Sequence, residues 1–127
     1  GKNSLAIGFY SSSLADSAVA LGDSAIARGA SSLALGNNAY TNGQYATAIG
    51  WSSKASAKSA FAIGYKAEAR STDTLAIGTE ALVEGDGAMA IGASTRASQA
   101  NALAIGSASS AYGINAVALG PCPMRRP

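Results

Sequence analysis

No histidine occurs among the 127 residues of the chain. That removes the Ser-His-Asp and Cys-His arrangements of nucleophilic catalysis together with most zinc sites. The single cysteine, Cys122, cannot close an internal disulfide and says little about redox compartment. The acids Asp16, Asp23, Glu68, Asp73, Glu80, Glu84 and Asp86 do not build the ladder that repeat-bound calcium requires. Asp73, Glu84 and Asp86 are close enough to gather loosely, but are expected as solvated turn residues. The glycines are not followed by Lys-Ser or Lys-Thr at the start of a helix, so they make no phosphate-binding loop. No catalytic, metal-ligating or cofactor-binding residue is assigned, and no cofactor is expected.

What remains is binding. Lys54, Lys58, Lys66 and Arg70 concentrate positive charge, opposed only by Glu68. Such a patch suits acidic ligands, for example glycosaminoglycans or anionic stretches of matrix proteins; the plainer reading is a solvated face. Trp51 and Tyr65 occupy one corner position a repeat apart, with Phe9 further back. They are expected to stack on each other, either to cover the corner or to meet a ligand. Tyr40, Tyr45 and Tyr112 fall on the outer surface or in turns.

These side chains are carried by a repeat. The phrase Ala102-Leu103-Ala104-Ile105-Gly106 recurs in nearly the same words from Ser4-Leu5-Ala6-Ile7-Gly8 to Ala116-Val117-Ala118-Leu119-Gly120. The closing glycines, at 8, 22, 36, 50, 64, 78, 92, 106 and 120, stand 14 residues apart with no insertion. A period this strict means a solenoid and not a globular domain. The composition agrees, since 48% of the chain is apolar but only 6% aromatic and 13% charged, so the apolar share is mostly alanine and any core is thin. A net charge of +2 is too weak an excess to argue for nucleic acid as partner. No apolar run approaches the ~20 residues of a membrane helix. If the protein is exported, its targeting and anchoring segments are expected outside this sequence.

Within one repeat the columns sort by size. Leu21, Leu35, Ile49, Ile63, Ile77, Ile91, Ile105 and Leu119 form one column, and Val19, Leu33, Thr47, Phe61, Leu75, Met89, Leu103 and Val117 another. Between them every residue is alanine: Ala20, Ala34, Ala48, Ala62, Ala76, Ala90, Ala104 and Ala118. Large, small, large is a period of two, which predicts a strand. Half a repeat later small residues alternate with variable ones, as in Ala67-Glu68-Ala69-Arg70, which predicts a second strand with one wet face. Gly, Asn, Asp and Ser between them supply the corners. The chain is therefore expected to be all-β, with turns stacked in parallel at ~4.8 Å. The aliphatic columns are expected to point into the roll, which gives the ~10 Å wall spacing of ordinary sheets. The alternative, alanines inward from both walls, makes a thinner roll with an exposed greasy stripe. Either way one wall is not a water-facing surface. The apolar area buried in one turn falls short of the entropy of ordering it, so oligomerisation along the rod is expected.

The repeats, Asn3-Ser4-Leu5-Ala6-Ile7-Gly8 and those with Ala, Ser or Thr before the aliphatic pair, resemble the heads of trimeric autotransporter adhesins of the YadA-like type. The resemblance covers residues 3 to 120. It implies a left-handed parallel β-roll, assembled as a parallel homotrimer and displayed at the outer membrane of a Gram-negative bacterium. It also implies a non-enzymatic adhesin that binds host extracellular matrix proteins or cell-surface receptors and promotes autoaggregation, held to the membrane only through a C-terminal anchor missing here. Residues 1–120 are read as head repeats, with the alanine column and Ile49, Ile63, Ile77, Ile91 and Ile105 at the trimer interface or in the roll core. Residues 121–127, Pro-rich and off the repeat, are read as a disordered tail or cloning remnant.

Three other readings compete with an adhesin. A structural spacer that presents other binding domains needs the same solenoid. An ice-binding solenoid needs a regular Thr ladder, and the outer columns Ser12, Ile26, Tyr40, Lys54 and Arg28, Asn42, Ser56, Arg70 are not one. A left-handed β-helix acyltransferase needs a hexapeptide period and a histidine, and the chain has neither.

Overall fold

The computed structural model describes residues 1–121; the rest of the expected tail lies outside the described residues. Nine three-residue strands form one parallel sheet in chain order: Leu5–Ile7, Val19–Leu21, Leu33–Leu35, Thr47–Ile49, Phe61–Ile63, Leu75–Ile77, Met89–Ile91, Leu103–Ile105 and Val117–Leu119. Eight two-residue strands form a second, also parallel and sequential: Ser12–Ser13, Ile26–Ala27, Tyr40–Thr41, Lys54–Ala55, Glu68–Ala69, Leu82–Val83, Arg96–Ala97 and Ser110–Ala111. The chain is thus a parallel β-solenoid of 14-residue turns, each turn giving one strand to each wall. Register follows the period, so that Ala48 pairs with Ala62 and Ile49 with Ile63. At ~4.8 Å per strand the rod is roughly 40 Å long.

The corners explain how so few residues close a turn. Each begins with a β-turn, as where the Ser53 N–H donates to the Gly50 carbonyl at 3.2 Å. The third residue of the turn takes a positive φ, and this left-handed place recurs at both corners of every turn, seven residues apart. Asn and Ser often fill it, as expected of short polar side chains. Tyr10, Tyr45, Lys66, Glu80 and Ala108 fill it too, with φ between 59° and 64° except Lys66 at 57°. Those residues accept a local cost of about 1 kcal/mol. The inter-turn ladder compensates by continuing around the bend, as in Ser52 N–H to Asn37 C=O at 2.9 Å and Lys66 N–H to Trp51 C=O at 2.9 Å.

The interior corrects one expectation. The alanines of the first wall point inward: Ala20, Ala34, Ala48, Ala62, Ala76, Ala90 and Ala104 are fully buried. They face Ala25, Ala27, Ala39, Ala55, Ala67, Ala69, Ala81 and Ala97 of the second wall, also fully buried. Ser32, Thr41, Ser53, Thr74, Thr95 and Ser109 fill the remaining inner places, and Val83 is the largest fully buried side chain. Strands of the two walls bring Cα atoms within 8 Å of each other at every turn, closer than the ~10 Å of ordinary sheet packing. The aliphatic columns therefore point out, because a cavity sized for methyl groups has no room for Leu or Ile. Most of the buried hydroxyls find partners, as Thr41 Oγ1 donates to Ser32 Oγ at 2.8 Å and Thr95 Oγ1 to the Gly92 carbonyl at 2.8 Å, Ser109 Oγ being the exception among the described residues.

Candidate functional site

Two surfaces of the roll carry features its interior does not require. The first is the outer side of the three-residue strands. With alanine turned in, Leu33, Leu35, Ile49, Phe61, Ile63, Leu75, Ile77, Met89, Ile91 and Leu103 line up outside as two columns, none of them buried. Ile105 at 37% exposure and Phe61 at 40% mark a stripe that neighbouring turns cover only from the sides. Nine strands long and two side chains wide, it exceeds the scattered apolar exposure of an ordinary monomer. The expectation placed Ile49, Ile63, Ile77, Ile91 and Ile105 together with the alanine column; the structure puts the isoleucines on this stripe and the alanines in the core, with Ala118 at the end only partly buried.

The second surface is one corner and the adjoining part of the two-residue wall. Trp51 and Tyr65 stack there, ring centroids 5.1 Å apart and planes 12° from parallel. The stacking arises because they occupy the same corner place on successive turns, one strand spacing apart. Lys66, in the left-handed position beside Tyr65, holds its Nζ 5.8 Å from the Trp51 ring and 5.5 Å from the Tyr65 ring. Lys54 Nζ lies 5.6 Å over Tyr40. Ser52, Lys54, Lys66, Glu68, Glu80, Ala81 and Leu82 line a shallow groove beside the stack.

The four basic residues picked out in the sequence do not form one patch. Lys54 and Lys66 meet at the groove. Lys58 sits at the opposite corner, where its carbonyl accepts the Asp73 N–H. Arg70 is on the second wall but is bound into a charge ladder: Nε donates to Glu68 Oε2 at 2.7 Å and Nη1 to Glu84 Oε2 at 3.0 Å, while Arg96 Nη2 meets Glu84 Oε1 at 3.5 Å. The hydrogen bond that Arg70 donates to Glu68 is the main reason its guanidinium is held above its ordinary pKa, with burial acting against it and the charges of Glu68 and Glu84 adding to it. Glu80, Ser52 and Leu82 were not singled out from sequence. The signal was their place in the period, since Glu80 follows Lys66, and Leu82 follows Glu68, by one repeat of 14.

Asp16 and Asp86 serve the fold: each accepts a backbone N–H from the turn before, Lys2 at 2.8 Å and Thr72 at 3.3 Å. Among the described residues no group of three or more His, Cys, Asp or Glu is placed to hold a metal ion. No helix among them is long and apolar enough to cross a membrane.

A family model described as YadA head domain repeat (2 copies) matches the chain in overlapping stretches, at residues 1–25, 13–39, 27–53, 42–67, 55–81, 69–95, 84–109 and 97–121. Among solved structures, the collagen-binding domain of the Yersinia adhesin YadA is 27% identical and superposes with a TM-score of 0.65. The match covers 91% of this chain and 73% of that one. No curated protein matches the chain.

Proposed function

Because the chain belongs to the YadA head repeat family, whose model spans residues 1–121, we propose that it is a non-enzymatic adhesin head that works as a parallel homotrimer. An adhesin role at the bacterial cell surface follows from the family. The finer reading is that the trimer stands at the outer membrane of a Gram-negative bacterium, binds host extracellular matrix proteins or cell-surface receptors, and promotes autoaggregation. The solved relative is a collagen-binding domain, which makes collagen the first ligand to try.

One observation carries the trimer, namely the outward aliphatic columns running along all nine three-residue strands. A stripe of this kind is costly in water, and it runs along the stacking direction, so partners whose rods lie parallel bury it along its length. The groove lined by Ser52, Lys54, Lys66 and Glu80 is shallow, and adhesion through the outer face then relies on several weak contacts multiplied by three chains and many molecules. Sedimentation of the purified chain at micromolar concentration, followed by solid-phase binding to collagen, fibronectin and laminin, tests the reading. The expected result is a trimer that binds at least one of them. A monomer, or a trimer blank on all three and without autoaggregation on cells, overturns it.

A further inference from the structure

The roll does not need aromatic bulk at the corner that holds Trp51 and Tyr65. The equivalent place carries Phe9 on the first turn but Asp23, Asn37, Thr79, Ala93 and Ser107 on the others, and the inter-turn backbone bonds run past it alike, as in Asn38 N–H to Asp23 C=O at 2.9 Å and Ser94 N–H to Thr79 C=O at 2.8 Å. Yet two successive turns place large rings there, 44% and 45% exposed. Lys66 turns its ammonium over both rings, although Glu80 stands one turn away in its own column. Among the described residues neither Lys54, Lys66 nor Glu80 makes an ion pair, in contrast to the fully engaged Arg70, Glu68 and Glu84. The groove is thus lined by Lys54, Lys66 and Glu80, none of them in an ion pair among the described residues, and Lys66 joins it to the aromatic pair.

We propose that this corner binds an acidic saccharide. The rings offer an apolar surface for the C–H face of a sugar. Lys54 and Lys66 supply donors and charge for a carboxylate or sulfate. Glu80 accepts from hydroxyls, and Ser52 Oγ both donates and accepts. The combination discriminates among ligand classes. A neutral sugar leaves both ammonium groups without a counter-charge. A single-stranded DNA oligonucleotide supplies negative charge but lacks the free sugar hydroxyls that Glu80 would accept from. The inference rests on the adhesin reading and names a ligand class for one part of its surface.

The test titrates the full chain with a heparin-derived oligosaccharide, a hyaluronan-derived oligosaccharide and a maltose oligosaccharide of equal length, following the fluorescence of Trp51, the single tryptophan of the chain. The sulfated or the carboxylated probe is expected to give a saturable change and the neutral one none; which of the two acts identifies the source of the charge. Calorimetry on variants that borrow residues the same columns already carry keeps folding out of the result. Trp51→Asn is expected to weaken binding about tenfold, the loss of one stacking contact. Lys66→Ser is expected to weaken it about fivefold and to flatten its salt dependence. Lys58→Gln, at the far corner, is expected to leave it unchanged. No saturable change with either acidic probe overturns the inference, as does an equal response to the neutral probe or to a single-stranded oligonucleotide. An equal loss from Lys58→Gln and Lys66→Ser does so as well. Collagen binding that persists while both acidic probes fail overturns this inference alone and leaves the adhesin reading standing.

Discussion

Gly50 and Gly64 approach across adjacent turns so closely that a Cβ on Gly50 would stand 2.6 Å from the Gly64 carbonyl oxygen. Gly50 also has a φ of 127°, a region closed to other residues. Gly50→Ala is therefore expected to destabilise the roll by about 3 kcal/mol. At Gly87 the φ is 70°, and an added Cβ meets only the end of the Asn101 side chain, at 2.6 Å. Gly87→Ala should cost under about 1 kcal/mol, since the same left-handed place holds side chains on the other turns. Chemical denaturation of the two variants checks the contrast, and equal losses would refute it.

Ala62 and Ile63 are neighbours with opposite duties. Ala62 is fully buried between the walls, so Ala62→Leu overpacks the roll and should cost about 1–3 kcal/mol, read as a lower melting temperature. Ile63 lies on the outer stripe. Ile63→Lys is expected to keep the β signal in circular dichroism while shifting sedimentation from trimer toward monomer. A variant that still sediments as the wild type would rule the stripe out as the interface.

Ser109 Oγ is buried and has no hydrogen-bond partner among the described residues, whereas Ser53 Oγ, in the same inner column, donates to the Gly50 carbonyl at 2.9 Å. Ser109→Ala is expected to be neutral or stabilising by up to about 1 kcal/mol, and Ser53→Ala to cost about 1 kcal/mol. Thermal unfolding of the pair decides it.

The charge ladder around Arg70 gives a prediction about pH. A base whose pKa is raised on folding contributes stability fully present below its unfolded value and lost only as pH rises through the folded one. For Arg70 both lie above the neutral range. The melting-temperature difference between Arg70→Gln and wild type should stay constant from about pH 6 to 9. A difference that falls away inside that window would assign the effect to another group.

The period, the strands, the parallel register and the stacking of Trp51 on Tyr65 were all readable in the sequence. Each follows from placing residues 14 apart one above the other. The direction in which the first wall faces was not. Large, small, large in Phe61-Ala62-Ile63 says which residues share a face but leaves both faces open as the inner one. The second wall decides it, since its inner places hold only Ala, Ser, Thr and Val83, and against so close a wall only alanine fits. The left-handed corner places were hidden for a different reason. Tyr45, Lys66 and Glu80 are held there by the ladder through the bend, so residue type carries no signal of the conformation. The basic patch was misjudged because a turn has two corners, and Lys58 and Lys66 are on different ones.

Every coil bonds only to the one before and the one after, in unchanging register. A whole coil can therefore be gained or lost by duplication or deletion without disturbing the rest. Each such event lengthens or shortens the rod by ~5 Å, giving a lineage a way to adjust its span that leaves the contact chemistry of the remaining coils untouched.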